Sequence, residues 1–394
     1  MMKKIIPALL AALCVTACLV SCKPEAKTES YKIGALVSQT GNYAGMGMQA
    51  LEGMQFSVAE INNTGGINGI PLELVIYDDK SEVTEVALTA KKAVEVDQVI
   101  ALIEGTVTQM ASSLIPVANE LEVPSAGISG TALFDDQLGA WFFRPMGGEP
   151  DYAYLLLKYM QQNLGITKYA VLLENSGYGQ GGKVFLPQLN PGYGLSITAE
   201  QYFDPGATDL TPQLNNIVNS DAEAILIWGS SPTAGMAIKQ AKEMGITLPI
   251  LTTPTQATQT MIDSFGEYYD TEPAVASCTS KMDVWEQLPD SDIDKELLGD
   301  FAGRWEAEFG SSPQMWHILG YQMVVFMADG LERSQPDTSD IEQARYDLKV
   351  ALDNTNDLTL LSGNYTMTPD DHYGCTQQKL VMVTYQNDEM IYIP

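Results

Sequence analysis

The chain has 394 residues, with 50 acidic and 21 basic side chains and a formal net charge of −29 at pH 7. Such an acidic protein would be repelled by the phosphates of nucleic acid and would release no counterions from them, which excludes a nucleic-acid-binding function. The charge also promotes solubility, so by itself it says nothing about a ligand.

The first residues predict a secretory signal of the lipoprotein type. Lys3 and Lys4 form a short positive region, and the apolar stretch Ile5–Val20 is too short to span a bilayer comfortably. Small residues then lead to Cys22, where cleavage would free a cysteine for acylation. Because two or more acyl chains hold a protein stably on a membrane, we expect Cys22 to be the lipid anchor and residues 22–30 a flexible tether.

Removal of the predicted signal, residues 1–21, would lower the net charge to about −31 because two lysines are lost. No second apolar run reaches the roughly 18 residues of a membrane span. The chain that remains is too long for one small domain, so its length predicts two lobes.

Three of the five cysteines fall within the signal and anchor, which leaves Cys278 and Cys375 in the mature chain. In an oxidising compartment they could form a disulfide or remain two buried thiols, and the sequence leaves both alternatives open. The chain has only two histidines, His317 and His372. The chain therefore has few of the cysteine and histidine side chains that a metal site or a Cys/His nucleophile needs, and we expect no metal and no cofactor.

From residue 31 onward, short apolar runs alternate with longer amphipathic runs, which predicts strands alternating with helices. In the first half the predicted strands are Tyr31–Val37, Pro71–Tyr77 and Val99–Ile103, and the predicted helices are Ala44–Asn62, Glu82–Val96 and Thr108–Leu121. In the second half the predicted strands are Tyr169–Leu173, Leu195–Thr198, Ala222–Trp228 and Pro249–Leu251, and the predicted helices are Asp151–Leu164, Asp209–Asn219 and Thr233–Met244.

A helical stretch follows over about residues 294–333, and two final apolar runs, Lys379–Tyr385 and Met390–Ile393, predict a hairpin that returns to a sheet edge. The predicted fold class is therefore α/β, with two Rossmann-like lobes around parallel central sheets. Ligands bind outside the carboxyl ends of parallel strands, so we expect a binding site in the cleft between the lobes.

Two glycine-containing segments have different interpretations. Residues 65–69, Gly-Gly-Ile-Asn-Gly, follow a predicted helix and precede a strand, which is the reverse of a phosphate loop and indicates a structural turn. Residues 105–108, Gly-Thr-Val-Thr, lie between a strand and a helix, so their amides and hydroxyls can bind a carboxylate without a basic residue. Ordinary helix capping by Thr106 or Thr108 is the alternative. Ser129, after the next strand, would add a hydroxyl.

Several motifs occur in a characteristic order and spacing. They are Gly41-Asn42-Tyr43-Ala44-Gly45, the segment Glu60–Gly69, Tyr77-Asp78-Asp79-Lys80, Tyr178-Gly179-Gln180-Gly181, and Pro313 at the start of a helix. From about Tyr31 to the end of the chain, this ordered set resembles the leucine/isoleucine/valine-binding proteins, the amino-acid branch of the type I periplasmic solute-binding proteins.

The resemblance implies the type I periplasmic binding protein fold, with two lobes joined by crossover hinge segments. We expect the N-terminal lobe over residues 31–147 plus 279–361, and the C-terminal lobe over residues 148–278 plus 362–394. The resemblance also implies an exported monomer with two partners. One is a small-molecule ligand, an amino acid or another carboxylate, and the other is the ABC permease in the membrane that receives this ligand. That monomer would be lipid-anchored to a bacterial membrane and would face the periplasm or the cell exterior.

The resemblance also implies which residues contact the ligand. In the first lobe, the turns at Gly105 and Ser129 would hold the carboxylate of the ligand, and Thr106 would substitute for a family serine that aligns with Gly105. In the second lobe, Tyr178 matches a ligand-contacting tyrosine. Glu149 matches an acidic residue that faces the cleft near the first crossover.

The departures from the family pattern concern the ligand. Met46 stands where the family has a tryptophan, and Ser230 and Gln314 replace two pocket aromatics. The acid that pairs with the ammonium of the ligand falls at Pro254 or Thr255, neither of which carries charge. An unpaired ammonium in a closed cleft costs roughly several kcal/mol. Either Glu149 or another acid therefore takes over, or the ligand lacks an amino group.

The first interpretation is an importer's binding protein for a small amino acid of the branched-chain or another hydrophobic type. The alternative ligands are amine-free carboxylates, aliphatic or aromatic, and amides. A ligand sensor is the alternative to a transport receptor, since the same fold would serve both. A hydrolase would need a G-x-S-x-G nucleophile elbow, and residues 127–130 lack that spacing, so we expect no enzyme.

Overall fold

The computed structural model describes residues 30–130, 133 and 137–394, so the predicted signal, the predicted anchor at Cys22 and nearly all of the tether lie outside the described residues. In the described part of the chain, no helix is long and apolar enough to cross a membrane.

A five-stranded parallel sheet forms the core of the first half of the chain. Its strands are β1 (Tyr31–Val37), β2 (Leu72–Asp78), β3 (Ala101–Glu104), β4 (Ser125–Gly127) and β5 (Phe142–Phe143), in the order β2-β1-β3-β4-β5. The helices are α1 (Ala44–Asn63), α2 (Val83–Glu95) and α3 (Thr108–Glu120). Six of the seven residues of β1 are buried, as expected for a parallel strand that helices cover on both faces. The three strands and three helices predicted here are confirmed.

A seven-stranded sheet forms the core of the second half. Its strands are β6 (Lys168–Glu174), β7 (Ser196–Phe203), β8 (Ile225–Trp228), β9 (Ile250–Thr252), β10 (Ala276–Ser280), β14 (Leu380–Gln386) and β15 (Glu389–Ile393), in the order β15-β14-β10-β9-β8-β6-β7. Its helices are α4 (Glu149–Tyr159, continued by a π-helical turn over Met160–Leu164), α5 (Gly177–Tyr193), α6 (Thr211–Val218), α7 (Pro232–Glu243) and α8 (Gln259–Tyr269). We call the elements around the five-stranded sheet the first lobe and those around this sheet the second lobe.

Helix α5 was not predicted, because its sequence contains glycines and two prolines that disfavour a helix. It forms because Ser176 caps its start, accepting the Gly179 N–H at 3.3 Å, and because its buried face packs on the sheet. The C-terminal hairpin is confirmed: β14 pairs antiparallel with β10 and with β15, at the edge of the seven-stranded sheet.

Three helices and a small sheet lie between β10 and β14. They are α9 (Lys295–Phe309), α10 (Met315–Ser334), α11 (Ile341–Asp353) and the antiparallel strands β11 (Leu358–Thr359), β12 (Gly363–Tyr365) and β13 (Cys375–Gln378). The predicted helical stretch is thus two helices, since Gly310 ends α9 in the left-handed conformation at φ +69°.

Helices α1 and α10 pack at backbone distance. A methyl group on Gly320 would lie 1.9 Å from the Ala50 carbonyl oxygen, and one on Gly53 would lie 2.0 Å from the His317 carbonyl oxygen. Only glycine fits at such a contact. Helix α10 therefore belongs to the first lobe, although it follows the second lobe's first five strands in sequence.

The chain passes between the two large sheets three times, over residues 144–148, after β10 and at Lys379. The second and third passages contact each other, because the Lys281 N–H donates to the Lys379 carbonyl at 2.9 Å. The predicted lobe boundaries stay a prediction. One of them was expected between residues 361 and 362, and the small sheet β11-β12-β13 has strands on both sides of that position.

Asp283 in the second passage accepts a hydrogen bond from the Thr279 hydroxyl and is also stabilised by the backbone N–H groups of Ser280 and Met315. Burial nevertheless raises the pKa of Asp283 to about 7. The folded protein therefore keeps this proton up to about pH 7, whereas the unfolded chain loses it near pH 4. The contribution of Asp283 to stability is lost as the pH rises from about 4 to about 7, by at most about 1.4 kcal/mol per pH unit.

We therefore expect Asp283→Asn to gain stability relative to the unmodified protein as the pH rises towards 7, with a constant difference above that value. Urea unfolding of both proteins between about pH 5 and pH 8 measures this difference. Asp337→Asn is the control, because hydrogen bonds from Ser339 lower the pKa of the exposed Asp337. Asp337 is therefore ionised in the folded and unfolded states throughout this pH range, and the stability difference of its variant should not change with pH. An Asp283→Asn difference that does not change with pH would contradict the assignment.

Cys278 and Cys375 are free thiols, not a disulfide, and of the two only Cys278 is buried, since Cys375 is partly exposed. Cys278 is buried in β10 and pairs in register with Met382 of β14, whereas Cys375 begins β13 in the small sheet. Burial raises the pKa of the Cys278 thiol and raises that of Cys375 to about 11, so neither is an activated nucleophile.

Candidate functional site

A cavity lies between the two lobes at the carboxyl ends of the parallel strands, where a sheet of this kind binds ligands. It has about 360 Å³ of space free of protein atoms, including its opening to solvent. The lining residues are Thr106, Val107, Thr108, Ile128, Gly130, Met146, Tyr152, Tyr178, Ser230, Pro254, Thr255, Met315 and Trp316.

Both lobes contribute to this lining. The first lobe supplies the turn between β3 and α3, the residues after β4 and the start of α10, whereas the second supplies α4, the start of α5 and the turns after β8 and β9. The lobes also touch beside the cavity, since a methyl group on Gly130 would lie 3.0 Å from the Tyr178 ring and one on Gly177 3.5 Å from Thr108. The lining is therefore assembled by contact of the two lobes.

The predicted carboxylate turn forms part of this lining, through Thr106, Val107 and Thr108. The hydroxyl oxygen of Thr106 accepts the Ser38 N–H at 2.9 Å, and its carbonyl accepts the Trp316 indole N–H at 3.0 Å. Val107 occupies the N-cap position of α3 and has no side-chain cap. The N–H groups of Thr108 and Gln109, the first two residues of α3, thus lack an intrahelical acceptor, whereas that of Met110 donates to the Val107 carbonyl at 3.0 Å. Thr108 lines the cavity, and the helix dipole favours a negative group there.

A buried acid lies beneath the same turn. Glu104 is fully buried at the end of β3, and its Oε1 accepts the Thr106 N–H at 3.0 Å. Burial raises the pKa of Glu104 well above its usual value, the charge of nearby Asp79 raises it further, and hydrogen bonds from Thr106 partly oppose the rise. Because the Thr106 N–H is already used inside the protein, a ligand carboxylate would have to use the amides that follow it.

Tyr178 lines the cavity from the start of α5 and is only 4% exposed. Its ring lies 5.8 Å from that of Trp228, and burial raises the pKa of the Tyr178 phenol well above its usual value, with Tyr152 and Glu149 adding to the rise. The predicted second-lobe tyrosine is thus brought to the cavity with two further aromatic rings, those of Tyr152 and Trp316.

Glu149 is placed differently from its predicted position facing the cleft. It is fully buried at the start of α4, where its Oε1 accepts the Trp228 indole N–H at 3.0 Å, and it is not among the lining residues. Its carboxylate lies so close to Gly181 that a methyl group there would overlap it. The structure thus places Glu149 between α4, α5 and Trp228, away from direct contact with a ligand in the cavity.

The remaining predicted residues divide into two groups. Ser230 and Thr255 line the cavity, as does Pro254, the other position considered for the missing acid. Gly105, Ser129, Met46 and Gln314 do not line it.

Each residue of the second group has a different environment. A side chain on Gly105 would meet Met54 and Val37 of the core, and Ser129 is buried beside two lining residues. Met46 lies where the start of α1 faces Pro232 and the residues around Thr258 of the second lobe. Gln314 accepts a hydrogen bond from Gln49 at 2.9 Å.

The aromatic wall that Gln314 was expected to have lost is present two residues further on, in Trp316. Trp316 is 3% exposed, and with Met315 it brings the start of α10 to the cavity. Met315 and Trp316 were not predicted, because the comparison with the family pattern placed the lost aromatic residue at Gln314. The apolar pair that closely follows Pro313 in the sequence is a signal that could have identified them. Met146, in the first passage between the sheets, gave no comparable local signal.

Comparison with known proteins adds the following. The sequence model of a family described as periplasmic binding protein matches residues 30–389. An amino acid binding protein of Pseudomonas aeruginosa is 28% identical over 228 residues, covering 55% of this chain and 58% of that protein. A Leu/Ile/Val-binding protein of Rhizobium johnstonii is 27% identical over 224 residues, covering 56% of this chain and 60% of that protein. The matches thus span less than two thirds of these relatives, which are solute-binding proteins and not enzymes.

Among solved structures, the branched-chain amino acid transporter substrate binding protein LivJ of Streptococcus pneumoniae, determined in complex with isoleucine, superposes with a TM-score of 0.79. Its sequence is 21% identical, and the superposition covers 92% of this chain and 98% of that one. This likeness confirms the predicted fold class, two α/β lobes with parallel central sheets of the type I periplasmic kind.

Proposed function

Because this chain belongs to the periplasmic binding protein family, we propose that it captures a small molecule outside the cytoplasm and delivers it to an ABC importer. The observation that carries this proposal is the cavity between the lobes, lined by residues of both. Closure of two lobes around a ligand would display both lobe faces together, and only the closed form would present them to a permease in register.

The first candidate ligand is a small amino acid of the branched-chain or another hydrophobic type. Apolar side chains such as Ile128, Met146 and Met315 offer a surface for an aliphatic side chain, and the start of α3 offers N–H groups to a carboxylate. The names of the two relatives, an amino acid binding protein and a Leu/Ile/Val-binding protein, support the same class.

The second candidate class is amine-free carboxylates and amides. A specific observation favours it: among the described residues, those that line the cavity carry no charge, and Pro254 and Thr255 stand where the family pairs an acid with the ammonium of the ligand. An ammonium that found no acceptor in the cavity would cost roughly several kcal/mol to desolvate.

Cys22 remains the proposed site of the lipid anchor, outside the described residues. Acylation there would keep the monomeric protein at the membrane that contains the permease. A sensor that does not import its ligand is the alternative. Deletion of the protein should abolish uptake of the ligand in the transport case, and should leave uptake intact while abolishing the response to it in the sensor case.

A thermal-shift panel tests the proposed ligand class. It should contain aliphatic amino acids, amine-free aliphatic and aromatic carboxylates, short amides and polyamines. We expect the aliphatic amino acids to raise the melting temperature by several degrees, since a ligand at 100 times its Kd stabilises the folded state by about 2.7 kcal/mol. A shift with amine-free carboxylates or amides alone would select the second candidate class. No shift with any class, for a folded protein, would contradict the binding function.

A further inference from the structure

We propose that Glu174, acting through Ser230, recognises a hydrogen-bond donor of the ligand and so takes the place of the acid that is missing at Pro254 and Thr255. This inference rests on the proposed function, because it concerns the same cavity. It specifies the ligand class further: the ligand carries an ammonium or another donor on the side of the second lobe.

Glu174 is fully buried at the carboxyl end of β6, and both of its oxygens act as acceptors. Its Oε1 accepts the Ser230 hydroxyl at 3.1 Å, and its Oε2 accepts the Ser231 N–H at 2.8 Å. Ser231 is the N-cap residue of the 12-residue helix α7, whose dipole favours a negative group at this end. Glu174 is thus held as a hydrogen-bonded carboxylate directly behind a residue that lines the cavity.

The hydrogen bond to Glu174 fixes the polarity of Ser230. A serine hydroxyl has one proton, and here Glu174 takes it, so Ser230 has only lone pairs left for the cavity. Thr255 is in the same situation, because its hydroxyl donates to the Gly229 carbonyl at 2.6 Å. Of the hydroxyls that the second lobe places in the cavity, those of Ser230 and Thr255 are therefore acceptors and can bind a donor of the ligand.

The first lobe has the opposite polarity. The N–H groups at the start of α3 are donors, and the Thr108 hydroxyl oxygen accepts the Gly130 N–H at 3.2 Å, which leaves the Thr108 proton free to be donated. The cavity thus has donors at the start of α3 and acceptors at Ser230 and Thr255. A molecule that carries both a carboxylate and an ammonium satisfies both sides, whereas an amine-free carboxylate leaves the acceptors of the second lobe without a donor.

Two other buried acids near the cavity do not meet the same requirement. Glu104 is hydrogen-bonded to the backbone N–H and the side chain of Thr106, but burial raises its pKa well above the usual value and so disfavours the charged form. Glu149 accepts the Trp228 indole N–H, which is not a hydroxyl of the lining. Glu174 is the acid whose negative charge lies one hydroxyl away from the cavity, and in a medium of low dielectric that charge favours a cationic donor.

Isothermal titration of two matched probes, L-leucine and 4-methylpentanoate, tests the proposal, because these molecules differ only in the ammonium group. In Glu174→Gln the amide oxygen must still accept the Ser231 N–H, so the amide NH₂ faces Ser230 and donates to it. The Ser230 proton then turns towards the cavity. We expect this variant to bind L-leucine at least about tenfold more weakly, and 4-methylpentanoate with unchanged or higher affinity.

Ser230→Ala removes the connecting hydroxyl and should show the same selective loss. Ser231→Ala is the matched control, because its hydroxyl caps no helix and has no hydrogen-bond partner among the described residues, while its backbone N–H is retained. It should bind both probes like the unmodified protein. Circular dichroism and the urea midpoint establish that each variant folds.

The remaining outcomes separate the two proposals. If Glu174→Gln bound both probes more weakly by the same factor, or bound L-leucine with unchanged affinity, the role of Glu174 would be overturned and the binding function would remain intact. Binding of 4-methylpentanoate alone by the unmodified protein would do the same. Binding of neither probe would refute the hydrophobic amino acid as the ligand, and with it this inference.

Discussion

Replacing Tyr178 by alanine is expected to weaken binding of the best ligand at least about thirtyfold, while the protein remains folded. A buried aromatic side chain at the centre of a binding site contributes roughly 2 kcal/mol or more when it is truncated. Tyr178 meets this description: it is 4% exposed, lines the cavity from the second lobe and contacts Gly130 of the first lobe. Its removal takes away both a wall of the cavity and a contact that holds the lobes together.

Two variants serve as controls for this prediction, and titration calorimetry with the best ligand of the thermal-shift panel provides the measurement. Tyr178→Phe keeps the ring and loses only the hydroxyl, so its affinity should fall by no more than about tenfold. Tyr193→Ala changes a half-exposed tyrosine at the far end of the same helix and should leave the affinity unchanged. An unchanged affinity in Tyr178→Ala would show that the ligand binds elsewhere.

The second large effect concerns stability. Trp305→Ala is expected to lower the free energy of unfolding by about 3–5 kcal/mol, as is usual when a buried tryptophan is replaced by alanine. Trp305 is 1% exposed, and its ring lies 5.3 Å from that of Phe56, 4.2 Å from that of Phe309 and 4.6 Å from that of His317. It thus joins α1, α9 and α10 in one aromatic cluster.

Urea unfolding measures this loss, and Phe309→Ala is the matched control. Phe309 stacks on Trp305 but is 41% exposed, so its truncation should cost much less. A loss below about 1 kcal/mol in Trp305→Ala would mean that the cluster contributes little to the stability of the first lobe.

Much of the fold was predictable because its signals are local. The apolar run Tyr31–Val37 predicts one strand, and the amphipathic run that begins at Ala44 predicts one helix. The predicted ends of both elements agree with the structure to within one residue. Helix α5 escaped prediction because the tertiary contacts of its buried face outweigh the low helix propensity of its glycines and prolines. Tertiary packing is not visible in a local pattern.

The cavity was predictable where the family motif and the strand ends coincide, as at Thr106, Tyr178 and Ser230. It was not predictable at Met315 and Trp316. These residues begin α10, which follows the first five strands of the second lobe in the sequence but packs in the first lobe. Glu149 shows the converse: an acid at the right distance along the chain is turned towards the indole of Trp228. Only the three-dimensional contacts reveal which acid is connected to the cavity.

The backbone contact between α1 and α10 also has a consequence for how the chain acquires its structure. Gly53 and Gly320 lie 267 positions apart in the sequence, and the aromatic cluster around Trp305 is likewise built from segments on both sides of the second lobe. Contacts between residues so far apart in the sequence form slowly, because a long loop must close before they are made. The first lobe therefore begins first in synthesis but cannot complete its core until α9 and α10 follow, and the second lobe in turn waits for β14 and β15 at the end of the chain. For a chain proposed to cross a membrane unfolded, this late completion of both cores would favour export before folding.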